Sequence, residues 1–492
     1  MNKLIFGLFL LFPAVIFSQG KVDFNKYFAD STLRVDYYHT GDAREEIVSM
    51  DKMYIQPGWA GNPGNCIQPF ELGTYKVSLF DVATEKLIYS KGYSTIFGEY
   101  QTIDAAIKGI KKTYHETVLV PFPLKEVKMV IEKRAKNNSL SPIYSVIIDP
   151  KDYHICRENP ARSSDEVISV IKNGNPHNSV DLVILGEGYT ISEKDKFIKD
   201  LNYFTNLFFT FEPYKSHHKA FNISGIFAPS ENSGTDEPRQ GVYRNTRFGS
   251  SFNTFDTDRY CLADDEKNIR DAAGMVPYDA ILIMVNKDRY GGGGIYNWQT
   301  IFATGSDKRD YVFLHEFGHA FAGLADEYYS SEVAYQDIFT PGVEPLEANI
   351  TALLDTANVK WKKYLTPGIM VPTEWGKATF DSLNNALNSL SSEKMKTIVQ
   401  LKNQKAPMME IESREMDFDR RLNDLRKQAD DFLFNHPLKD KVGVFEGANY
   451  LSEGYYRPTI NSMMHKFDIN DKSYGVVNNQ AIIAIIEYYT GK

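Results

Sequence analysis

The run Tyr311-Val-Phe-Leu-His-Glu-Phe-Gly-His-Ala-Phe-Ala322 holds the residues best suited to chemistry. Its flanks are helix-compatible, and on a helix His315 and His319 lie one turn apart on a single face. Two imidazoles so placed can reach one Zn²⁺. Glu316 sits beside that face, positioned to take a proton from water rather than to bind the ion. The plain alternative is a helix whose two histidines only pack or hydrogen-bond. The acidic residues just downstream favour the metal.

A catalytic zinc generally takes three protein ligands and keeps one position open. The helix must therefore end and the chain return. Ala322-Gly-Leu-Ala-Asp-Glu-Tyr328 provides for this, with Gly323 able to adopt the left-handed conformation that stops a helix. Asp326 is the expected third ligand, Glu327 is its local rival, and a ligand elsewhere, such as His465, is the remaining option. Against all three stands a structural reading in which Asp326 caps a turn without touching metal.

The elements around this run alternate in type. Val180–Leu185 is a buried-strand run, followed by a helical stretch over 192–209 with Phe197, Leu201, Phe204, Leu207 and Phe208 at helical spacing. Phe221–Phe227 reads as a strand, 228–260 as a polar loop, Asp264–Ala273 as a helix and Tyr278–Val285 as another strand. Such alternation predicts an α/β or α+β domain over 179–492. Gly291-Gly-Gly-Gly-Ile-Tyr296 lacks the spacing of a phosphate-binding loop and predicts exposed backbone at a turn or sheet edge. Residues 376–435 change composition and predict a helical insertion broken at Pro407, with Met395, Met408, Met409 and Met416 as core filler. Ala481–Glu487 reads as a short helix or a buried strand.

Upstream, residues 19–160 alternate in the period of strands and predict an all-β sandwich, with a hint of one short helix near Ile103–Ile110. His39, His115 and His154 read there as scattered surface or strand histidines. Residues 161–178 read as a linker. Residues 1–18 carry Lys3, an apolar run from Leu4 to Phe17, and Ser18. That is the pattern of a signal peptide, and it predicts an exported chain (secreted, periplasmic or cell-surface) with no transmembrane anchor once the segment is removed.

Composition narrows the classes further. The 492 residues carry a formal charge of −9, which leaves no basic excess for nucleic acid. The 3 cysteines are too few and too scattered for a disulfide framework or a thiolate metal cluster. Imidazole and carboxylate must then hold any metal.

With these residues in view, the chain resembles the IgA-peptidase family of zinc metallopeptidases, a metzincin-like group. His315, Glu316 and His319 match the metzincin signature directly. Gly323 and Asp326 fall one residue later than that signature places them, as in the family's His-Glu-x-x-His-x-x-x-Gly-x-x-Asp-Glu pattern. Ser462-Met-Met-His465 resembles its methionine turn, with Met464 the better candidate than Met463. The match extends to Leu185-Gly-Glu-Gly-Tyr-Thr190 and Phe445-Glu-Gly-Ala-Asn-Tyr450, and the all-β region resembles the family's N-terminal domain.

The resemblance implies a metalloendopeptidase that hydrolyses peptide bonds in extracellular, host or dietary proteins. One catalytic Zn²⁺ would be held by His315, His319 and Asp326, with Glu316 as general base and Met464 beneath the ion. A protein or peptide substrate would lie as an extended strand along Gly292, Gly293, Gly294 and Ile295. The sandwich is a candidate for glycan or protein contact. Tyr455, Tyr456, His465 and Tyr474 are candidates for oxyanion donors, since Lys466 stands where some relatives carry a tyrosine. A zinc hydrolase of a non-peptide bond and a cell-surface module binding protein or glycan are the competing functions. An intact Glu316 speaks against the second, because binding needs no general base.

Overall fold

The computed structural model describes residues 21–329, 340–466 and 472–492. The expected signal peptide lies outside them. After one helical turn, α1 (Phe24–Tyr27), the N-terminal region builds β1 (Phe28–Gly41), β2 (Glu46–Pro57), β3 (Tyr75–Asp81) and β4 (Leu87–Tyr93). Two short helices follow, α2 (Ile96–Tyr100) and α3 (Asp104–Ile107), where the sequence hints at one. Then come β5 (Lys112–Pro123), β6 (Val127–Arg134), β7 (Leu140–Ile148) and β8 (Ile155–Cys156). They form two four-stranded sheets, ordered β5-β1-β2-β8 and β4-β3-β6-β7. Alternate residues explain why the two stack: Leu33, Val35 and Tyr37 of β1 share one core with Val77 and Leu79 of β3 and with Met129 and Ile131 of β6.

One histidine of this region is more than scattered. His39 is buried between Glu116 at 3.0 Å and Glu46 at 3.1 Å, and Tyr75 donates its hydroxyl to the same Glu46.

The second region is a six-stranded sheet with helices. Its strands are β9 (Glu166–Ile171), β10 (Val180–Glu187), β11 (Phe221–Phe227), the two-residue β12 (Ser250–Ser251) and β13 (Leu262–Ala263), which pair apart, β14 (Ala280–Val285), β15 (Gly292–Ile295) and β16 (Gln299–Ala303). The order is β15-β16-β14-β10-β11-β9, parallel in the middle and antiparallel at both edges. β9 falls within 161–178, where a linker was expected. Its Ile168, Val170 and Ile171 pack on the core, which a free linker has no means to do.

Helices α4 (Lys194–Phe208), α5 (Glu266–Ala273) and α6 (Arg309–Ala322) follow their strands. Leu182 and Ile184 of β10 face α4 and α6, while Val183 and Leu185 face the core shared with the N-terminal sandwich. Both faces of the sheet are covered, so β10 is buried along its whole length and its centre, Leu182–Leu185, is a continuous apolar run. On the sandwich side, Arg34 of β1 holds Asp36 and reaches Asp271 of α5, each at 2.6 Å.

The expected insertion is a helical hairpin, α7 (Lys377–Asn403) and α8 (Met408–Phe434), with Pro407 at the break. Leu390, Phe418 and Leu422 form its seam. The methionines are not core filler: Met395, Met408, Met409 and Met416 are all exposed, because leucine and phenylalanine already fill the seam. A β-hairpin, β17 (Phe445–Ala448) and β18 (Leu451–Arg457), and a terminal helix, α9 (Val476–Thr490), complete the fold. The last run is therefore helix rather than strand, and its Ile482, Ile485 and Ile486 pack in the same core as α6. Among the described residues no helix is long and apolar enough to cross a membrane.

Candidate metal centre

Helix α6 presents both histidines as the spacing requires, and Gly323 ends it at φ 58°. Gly323 N–H donates to His319 O at 3.0 Å and Leu324 N–H to Gly318 O at 3.3 Å, closing the left-handed stop and turning the chain back. The return brings Asp326 to the histidines. Its Oδ1 lies 3.0 Å from His315 Nε2 and 3.2 Å from His319 Nε2, and the two Nε2 atoms are 3.1 Å apart.

The opposite ring nitrogens show which atoms face inward. His315 Nδ1 lies 3.0 Å from Met463 O, and His319 Nδ1 lies 2.6 Å from Leu324 O. A carbonyl can only accept, so each Nδ1 donates, and each Nε2 is the atom that faces the carboxylate, where a proton or a metal ion can bind between them. Asp326 Oδ1 is buried against these two nitrogens, with no hydrogen bond to any other group among the described residues. Three ligand atoms thus converge, those of His315 and Asp326 buried and that of His319 half-buried, an arrangement that fits a divalent cation with nitrogen and oxygen ligands. Burial alone would raise the Asp326 carboxyl, but His319 and His315 hold it well below its ordinary value. Burial likewise opposes a charged His319, and Asp326 outweighs it, lifting that imidazole to about 9.

Glu316, on the same helix, stands beside this cluster in a cleft of about 570 Å³. Burial pushes its pKa up, against the pull of His315 and His319. A base raised toward neutrality suits proton transfer.

The rival ligands lie elsewhere. Both Glu327 oxygens are occupied: Oε1 accepts from Asn349 and Asn478, and Oε2 from Ser462 at 2.7 Å. Its backbone N–H donates to Met464 O at 2.8 Å, so Glu327 fastens the turn at Ser462–His465 to the loop carrying Asp326. His465 is buried, has no hydrogen-bond partner on either ring nitrogen among the described residues, and packs 6.2 Å from Phe380, outside the cluster. Met464 is fully buried beneath α6, so close that a Cβ on Gly318 would lie 2.9 Å from its sulfur. The oxyanion candidates Tyr455, Tyr456, Tyr474 and His465 do not line the cleft. Tyr474 is committed below α6, its hydroxyl donating to Leu314 O.

Sequence reasoning missed the aromatic shell. Tyr311 packs 4.9 Å from the His315 ring, Tyr328 stacks beside it, and Tyr450 donates its hydroxyl to Asp326 Oδ2. Tyr450 sits in the two-residue turn between β17 and β18, where both Asn449 (φ 46°) and Tyr450 (φ 66°) are left-handed. The Gly-Ala-Asn-Tyr run carries a hairpin signal, but its partner, Asp326, is 124 residues away.

The glycine run is an edge strand, one of the two forms expected. Its composition answers to the helix: a Cβ on Gly294 would lie 2.2 Å from Glu316 O, and one on Gly292 2.7 Å from Val312 Cγ1. Glycine therefore lets β15 lie directly on α6. Gly291 O accepts from Ala303 N–H, so by the antiparallel alternation Gly293 and Ile295 also turn their backbone groups to β16. Gly292 and Gly294 face outward, and Gly292 O already accepts from Cys261 N–H at 3.3 Å.

A second His-carboxylate cluster, Asp36, Asp51 and His115, lies on the sandwich, with Asp36 held by both Arg34 and Thr117.

Two family models match the chain. One described as IgA Peptidase M64 covers residues 168–486, and one described as Peptidase M64 N-terminus covers residues 23–145. No curated protein matches it at a significant level.

Proposed function

Because the chain belongs to the M64 family of IgA peptidases, we propose that it is a zinc-dependent endopeptidase of metzincin-like design, exported to act on extracellular proteins. The observation that carries this reading is the convergence of His315 Nε2, His319 Nε2 and Asp326 Oδ1 beside Glu316 in an open cleft. His315, His319 and Asp326 would hold the ion, which when bound supplies Lewis acidity and lowers the pKa of water.

The chain's own groups do the rest. Glu316 takes a proton from the attacking water and returns it to the leaving amine, so both halves of the cleavage use one carboxylate. Leu324 O and Met463 O keep the imidazoles in the tautomer that leaves Nε2 free. Met464 supports α6 from below without donating to the site. An extended peptide would pair with the outward backbone groups of Gly294 on β15. Gly293 and Ile295 would contribute only through the strand they form with β16, and Gly292, already bridged to Tyr260, by holding the strand's end in place.

Exposure of the purified protein to a peptide library, with added zinc or with a chelator, tests the reading by mass spectrometry. Internal cleavage that the chelator stops and zinc restores supports it. A zinc-loaded protein that cuts no peptide would count against it.

A further inference from the structure

The endopeptidase reading gives the N-terminal sandwich no task, yet the sandwich forms one wall of the cleft. Thr74, Ser94, Gly98, Arg134 and Lys136 line the same 570 Å³ space as His315 and Glu316. The wall is fixed in place. Ser94 N–H donates to Tyr296 O at 2.9 Å, Asn297 Nδ2 to Gly92 O at 2.7 Å, and Asn138 Nδ2 reaches Glu344 O at 2.9 Å across the cleft.

The first of these bonds limits what the edge strand can offer. Along the outer side of β15, Cys261 takes the carbonyl of Gly292 and Ser94 takes that of Tyr296. A chain paired at Gly294 and continuing past Tyr296 therefore runs onto the sandwich, since Ser94 occupies the next outward carbonyl. Substrate residues at that end meet the N-terminal region rather than the zinc domain.

The charged groups on this wall differ in what already holds them. Arg134 turns inward, donating to Gly73 O at 3.0 Å and Asn138 O at 2.8 Å while pairing with Glu71, and so braces the turn between β6 and β7. Glu99 accepts the Tyr260 hydroxyl. Lys136, in the same turn, is exposed and has no ion-pair partner among the described residues.

We propose that the N-terminal sandwich is part of the substrate-binding cleft, and that Lys136 reads an acidic side chain several residues from the bond that is cut. This rests on the endopeptidase reading and adds to it a specificity-determining residue.

The test uses the full chain carrying Glu316→Gln, so that peptides bind without being consumed. Labelled peptides bearing Glu or Lys at each position in turn are titrated by fluorescence polarisation against this variant, with and without Lys136→Glu or Lys136→Ala. Lys136 is exposed, and its replacement leaves the fold intact. The expected result is a position at which Glu is preferred, and at which Lys136→Glu shifts the Glu-to-Lys affinity ratio by on the order of tenfold, Lys136→Ala falling between. In the active enzyme the same shift appears in KM, with kcat unchanged. An unaltered ratio at every position, or no binding of either peptide set, would overturn the proposal. Failure of the zinc-loaded wild type to cut any peptide is a separate result, and it strikes the endopeptidase reading instead.

Discussion

Tyr450 donates its hydroxyl to Oδ2 of Asp326, leaving Oδ1 of the same carboxylate facing His315 and His319 at 3.0 and 3.2 Å. The tyrosine decides which oxygen is free. It does so from a turn in which two consecutive non-glycine residues are left-handed, a conformation that costs about 1 kcal/mol or more per residue unless its surroundings hold it.

If the hydroxyl orients the carboxylate, Tyr450→Phe weakens zinc binding while the fold remains. The expected loss is about tenfold, the lower end for an outer partner of a metal ligand. Competition against a chromophoric chelator measures it, and unchanged affinity would show that Asp326 is held without the hydroxyl.

Asp326 and Glu327 are neighbours with separable tasks. Asp326→Ala should abolish stoichiometric zinc and keep a folded chain. Glu327→Ala leaves Asn349, Ser462 and Asn478 without their shared acceptor, and should lower stability by about 3 kcal/mol or more. Zinc content by plasma mass spectrometry and thermal melting distinguish the two. Full zinc retention in Asp326→Ala would remove it from the ligand set.

His39 sets a pH dependence far from the metal. Burial lowers its pKa, but Glu116 and Glu46 outweigh that and raise it above the ordinary value. A raised folded-state pKa contributes stability that is fully present below about 6.5, the unfolded value, and is lost as pH rises through the folded value. The difference in Tm between wild type and His39→Gln should therefore shrink as pH rises above about 6.5. A constant difference from acid to alkaline pH would contradict it.

Much of this molecule is readable locally. The two helix histidines, the glycine stop and Asp326 lie within 315–326, and the apolar Leu182–Leu185 run of β10 follows from its two covered faces. Period-two alternation likewise exposes the sandwich. What escaped has partners distant in the chain. Tyr450 meets Asp326, Ser94 meets Tyr296 and Glu327 meets Asn478, and nothing near any of them in sequence marks the other. The glycine run shows the same limit: its edge position is legible, but the contact with Glu316 and Val312 that demands glycine is not. The exposed methionines mark the opposite error, since their spacing alone does not reveal which face of a hairpin is already filled.

Glu316 is proposed to move the proton in a metal-assisted peptide hydrolysis. That role is tested most directly by turnover of one identified peptide substrate by zinc-loaded Glu316→Gln, at zinc occupancy equal to wild type. The expected result is a fall in kcat of on the order of 10²–10⁴ with the metal retained and the fold unchanged. A variant that binds zinc and cuts at a rate near wild type would contradict it.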